Sequence, residues 1–143
     1  MPKSCLVLLL AVALLPGCGG SGGSGGSSKT PAGTVKWFRA SVDDGDWKAA
    51  CARLSRLGKA SVAARLVIFS ADETDEFGEL KNCSASLAKH SDLLRQKLER
   101  TAPGKTHKLA PNAATVSSPR GDWAVDTAEK TGEWRISALP TGN

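Results

Sequence analysis

Apolar residues in this chain follow two rhythms, helical as far as about residue 100 and alternating beyond it. Val35, Phe38 and Val42 recur at three- and four-residue spacing behind Thr30-Pro31, a capping hydroxyl followed by a proline suited to the first helical position. That spacing predicts a helix over 31–42, broken by Asp43-Asp44-Gly45. Asp46 then caps a second helix in which Trp47, Ala50, Cys51 and Leu54 share one face until Gly58. Residues 61–70 hold Val62, Leu66, Val67, Ile68 and Phe69 and fit either a helix or a short buried strand; we read a helix. Asp72, Glu73, Asp75, Glu76 and Glu79 precede an amphipathic segment carrying Phe77, Leu80, Cys83, Leu87, Leu94 and Leu98, where acids at a helix start complement its dipole.

After Pro103-Gly104 the alternation predicts short strands at 105–109, 113–118, 122–128 and 133–139. Pro111-Asn112, Pro119-Arg120-Gly121 and Lys130-Thr131-Gly132 separate them as turns, which makes an antiparallel meander. Parity sets His107 and Leu109, Ala114 and Val116, Trp123 and Val125, and Trp134 and Ile136 on one face. Asp122, Asp126, Glu133 and Arg135 take the other face, toward water. The expected fold class is α+β, with N-terminal helices packed on a short curved antiparallel sheet.

Composition narrows the picture. A length of 143 residues with 41% hydrophobic and 23% charged content fits one compact domain with appendages, and excludes a multi-domain enzyme, a disordered chain and a multi-pass membrane protein. The appendage is at the start. Lys3 precedes an unbroken apolar run over 6–15, which as a helix spans only about 15 Å, half of the roughly 30 Å of bilayer hydrocarbon. It reads as an export signal. Leu15-Pro16-Gly17-Cys18 resembles the lipobox of bacterial lipoproteins, an aliphatic residue, a tolerant position, a small residue and then Cys. The resemblance implies cleavage after residue 17 and a diacylglyceryl group on Cys18, which becomes the membrane anchor; the alternative is a plain secretory signal with an incidental Cys. Residues 19–28 are Gly and Ser only and read as a tether with a root-mean-square reach on the order of 20 Å.

With Cys5 lost in the leader and Cys18 acylated, Cys51 and Cys83 are the thiols left in the exported domain. An oxidising exterior favours their disulfide. Two such Cys without a C-x-x-C pair, with His90 and His107 as the histidines, lack tetrahedral metal spacing, so no metal and no cofactor is expected. The acidic run also lacks the alternating ligands and mid-loop Gly of a calcium loop.

Helices followed by a curved antiparallel sheet resemble the nuclear transport factor 2-like cone fold, and more closely the small actinobacterial lipoproteins of that superfamily. The resemblance rests on Trp37-Phe38, on the run from Gly45 to Cys51, on Cys83, and on the closing run from Gly132 to Pro140. It implies a signal peptide at 1–17, a lipidated Cys and tether at 18–29, a cone domain at 30–140 and a tail at 141–143. It further implies a cavity lined by His107, Leu109, Val116, Trp123, Val125, Trp134 and Ile136. Core packing is the competing reading for the tryptophans.

Enzymes of that superfamily use a buried carboxylate or His, and isomerase-like members add a Tyr; this chain has no Tyr and its strand carboxylates face outward by parity. An isomerase or hydrolase would have to work through His107. The preferred expectation is a non-enzymatic envelope lipoprotein that binds an envelope protein or a small apolar ligand and is held on the membrane through Cys18. A surface-exclusion factor of a phage or mobile element is a third reading that no residue favours. Losing Lys3 takes Lys plus Arg from 19 to 18 against 14 acids, a change from +5 to +4. Those bases are scattered without an aromatic-basic stripe, so nucleic acid is not an expected partner. Arg120-Gly121-Asp122 at a hairpin tip spells an integrin-recognition tripeptide, but it is ordinary turn chemistry.

Overall fold

A computed structural model describes residues 28–142. The proposed leader, Cys18 and all of the tether before Ser28 lie outside the described residues. Helix α1, Pro31–Asp44, starts where Thr30 Oγ1 accepts from Gly33 N at 3.1 Å and stops at Gly45, whose φ of 74° is left-handed. Its buried face is Thr34, Val35, Phe38, Ser41 and Val42. Helix α2, Trp47–Ala52, is capped by Asp46, which accepts from Ala49 N at 3.0 Å.

The second helix ends six residues before the expected Gly58 because the backbone beyond it pairs elsewhere. Ile136 N donates to Arg53 O at 2.8 Å, Ser55 N donates to Ile136 O at 2.9 Å, and Leu54 bridges Ile136. Ser55 then caps α3, Arg56–Arg65, by accepting from Gly58 N at 3.1 Å. Gly58 is therefore a point of close approach, not a stop: a Cβ there would lie 2.0 Å from the Ile136 carbonyl oxygen.

Only the first half of 61–70 is helical. Ile68 N donates to Ala63 O at 2.8 Å and Val67 N donates to Ala64 O at 3.2 Å, the paired bonds of a Schellman ending. Val67 occupies the left-handed position with φ 57°, where glycine is usual. The acidic run that follows does not open a helix. Thr74 bridges Leu80, and Asp75 Oδ1 accepts from both Phe77 N and Glu79 N at 2.9 Å, so these residues form a carboxylate-closed turn. Helix α4, Cys83–Lys89, begins only after Asn82 accepts from Ala85 N, and α5, Ser91–Leu98, follows past His90. Cys83, Leu87, Leu94 and Leu98 are buried as the amphipathic pattern predicts, whereas Phe77 is exposed.

Four strands complete the α+β fold: β1 Thr106–Ala110, β2 Ala113–Val116, β3 Trp123–Thr127 and β4 Trp134–Ala138, in antiparallel order β1-β2-β3-β4. Helix α1 packs across β2, β3 and β4, and α3 packs on β4. The Phe38 and Trp123 rings meet edge to face, with centroids 6.0 Å apart. Cys51 and Cys83 form the expected disulfide between α2 and α4, with Cα atoms 6.0 Å apart.

Two outcomes follow from this packing. The bridge closes a loop of 32-residue separation, so replacing both cysteines by serine should cost about 3 kcal/mol of unfolding free energy in a urea titration. Val67→Gly should stabilise by about 1 kcal/mol by relieving the left-handed β-branched residue. An unchanged or lower thermal midpoint would show that position 67 carries no strain.

Candidate functional site

The expected cavity is a filled core. Val116, Trp123, Val125, Trp134 and Ile136 are all buried and belong to one cluster with Val35, Phe38, Val42 and Leu54. Trp123 also spends its polar handle inside, since its Nε1–H donates to Thr101 O at 3.0 Å. Thr34 Oγ1 likewise reaches Trp134 O, at 3.2 Å, tying α1 to β4 from within.

His107 and Leu109 do not join these residues. Register places Thr106 opposite Val116 and Lys108 opposite Ala114, so Thr106 and Lys108 share the core-facing side and His107 takes the opposite one. Leu109 lies where the register shifts, between Lys108 and Ala110, and is 69% exposed. Thr106 through Leu109 are all exposed, so no burial selected a face for this strand and alternation alone could not find it. His107 thus sits on an open surface, away from the enclosed pocket that acid-base work through it requires.

The other sequence-derived candidates become surface contacts. Glu73 accepts from Lys89 Nζ at 3.0 Å and lies 3.3 Å from His90 Nε2. The Lys89 hydrogen bond above all, helped by His90 and opposed by desolvation, holds the Glu73 carboxyl below its usual range. Glu79 meets Arg56 at 2.8 Å and Lys59 at 3.4 Å. The acidic run therefore joins its loop to α3 and α4 by ion pairs; among the described residues no three His, Cys, Asp or Glu side chains converge as metal ligands. Trp37 and Trp47 are half-buried beneath guanidinium groups, Arg53 at 4.2 Å and Arg95 at 5.3 Å from the ring centroids. At the β2–β3 turn the Arg120 carbonyl accepts from Gly142 N at 2.8 Å, so the tripeptide is tied to the end of the described chain.

Sequence reasoning missed two surface features. An open depression of about 510 Å³ is lined by Phe69, Ala71, Thr74, Asp75, Glu76 and Lys81. The second is the unshielded strand β1. Its signal was present as charge, because between Asp92 and Asp122 the chain has Arg95, Lys97, Arg100, Lys105, Lys108 and Arg120 against the single acid Glu99. Both features suit binding at a surface.

Among the described residues no helix is long and apolar enough to cross a membrane. No protein-family model, no curated protein and no solved structure matches this chain.

Asp126 provides a test of the outer sheet face, where it pairs across the strands with Arg135. Both are half-buried rather than fully in water. Burial pushes the Asp126 carboxyl above its usual range, against a hydrogen bond from Ser137 and the Arg135 charge. A raised carboxyl makes the folded state bind its proton more readily than the unfolded one, so stability grows as pH falls through the folded pKa. Asp126→Asn should therefore raise the thermal midpoint at pH 7 and lose that advantage below about pH 4, where both side chains are uncharged. A lower midpoint at pH 7 would mean that the Arg135 attraction outweighs the burial.

Proposed function

We propose that this protein is a lipid-anchored lipoprotein of the bacterial cell envelope, whose folded domain, of nuclear transport factor 2-like type, acts as a non-enzymatic module that binds a partner protein. The observation that carries the reading is Leu15-Pro16-Gly17-Cys18 at the end of the ten-residue apolar run over 6–15. Cys18 is the lipidated residue, and acylation there with two chains gives durable attachment, since each buried methylene contributes about 0.8 kcal/mol. The Gly/Ser segment holds the domain off the membrane.

The Cys51–Cys83 disulfide supports an extracytoplasmic location, because such bonds persist in oxidising compartments and are rare in the cytosol. The filled interior supports binding of a protein at the surface over enclosure of a small apolar ligand, which needs a concave apolar site.

Expressed in a bacterial host, the unaltered chain should fractionate with membranes and incorporate labelled palmitate. Cys18→Ser should abolish the label and move the protein to the soluble exported fraction. Retention of the variant in membranes, or an intact Met1 on cytosolic protein, would refute the anchor.

A further inference from the structure

The two edges of the sheet are treated differently. On β4, Trp134 N donates to Ser28 O at 2.9 Å, Ile136 exchanges backbone hydrogen bonds with Arg53 and Ser55, and Leu139 N just beyond the strand donates to Ser61 Oγ at 3.1 Å. That edge is closed. Among the described residues strand β1 pairs with β2 alone, and its residues from Thr106 to Leu109 are exposed.

Ser117 N donates to Lys105 O at 2.8 Å, which makes Lys105 a hydrogen-bonded partner of β2. Antiparallel pairs alternate, so His107 also directs its backbone at β2, while Thr106 and Lys108 direct their N–H and C=O groups outward. Pro103 and Pro111 bracket the strand and limit the open ladder to its few residues.

Charge selects the occupant. Arg100, Lys105 and Lys108 have no ion-pair partner among the described residues, and Glu99 is the one acid between Asp92 and Asp122. A second copy of this chain pairing antiparallel about Lys108 would set that cation against its twin, a repulsion that edge lysines commonly exploit. An incoming strand with carboxylates at alternate positions meets the opposite situation: its carboxylates can share the face of Lys108 while the backbones pair, and Lys105, which parity puts on the other face, adds positive charge nearby.

We infer that the outward edge of β1 is a docking site for an extended acidic segment of a partner protein, which adds as a further antiparallel or parallel strand beside Thr106 and Lys108. Main-chain hydrogen bonds supply the attachment, Lys105 and Lys108 the preference for acid, and exposed Leu109 an apolar contact at the end of the strand. The inference deepens the protein-binding half of the reading above and is independent of the anchor. Membrane fractionation and peptide binding therefore fail separately.

The test uses the full chain in neutral detergent, titrated with a blocked short peptide alternating Glu and Val and, as control, one alternating Lys and Val. Saturable binding of the acidic peptide only, with slowed hydrogen exchange at the Thr106 and Lys108 amides, is the expected result. Lys108→Glu should weaken binding at least about tenfold, equivalent to 1.4 kcal/mol. Thr106→Pro removes an outward N–H without altering charge and should do the same. The exchange measurement on the unaltered chain decides the matter should either variant fold poorly. Absence of saturable binding overturns the inference. So does binding that leaves both amides unprotected or survives Thr106→Pro, which is charge adsorption alone, and so does a peptide-free dimer that protects these amides.

Discussion

The space between α1 and the sheet is occupied by the edge-to-face contact of Phe38 and Trp123, and the fold is arranged around that contact. Val35 and Val42 extend it along the helix, while Val116, Val125 and Ile136 extend it across the strands. Protein interiors tolerate few voids larger than a water molecule. Once two aromatic rings of this size are committed to the centre of a small domain, little room is left for a guest. The polar atoms confirm the commitment: the Trp123 indole N–H is satisfied by a backbone carbonyl inside the protein, not left for a ligand.

The strands were legible because each carries turn chemistry at its ends and alternation between them, and all four lie within a residue or two of the expected positions. Helix ends were less legible for a physical reason. Local pattern continues from Trp47 to Leu54, but β4 needs hydrogen-bond partners along its outer edge, and residues 53–55 supply them at the expense of the helix. Gly58 reads locally as a terminator; in the fold its missing side chain lets α3 lie against the Ile136 carbonyl. The acidic run misled in the same way, since carboxylates that suit a helix start equally suit a turn closed by Asp75 and ion pairs to Arg56, Lys59 and Lys89.

The candidate site was legible in part. Ala114, Val116, Trp123, Val125, Trp134 and Ile136 are buried on the inner face as parity predicts, and Cys51 and Cys83 are joined. His107 and Leu109 were assigned by alternation in a strand that none of the described residues covers, where alternation carries no information about burial. A one-residue error of parity reverses every side chain in a strand, and in β1 it turned an expected cavity-lining histidine into a surface group and set Thr106 and Lys108 on the inward side.

The hydrogen bond from Trp134 N to Ser28 O sets the first of the described residues beside β4. Three inter-strand steps of about 4.8 Å separate β4 from β1. Ser28 and the outward backbone groups of β1 therefore sit on opposite flanks of the sheet, so a strand added at β1 would leave the Ser28–Trp134 hydrogen bond in place.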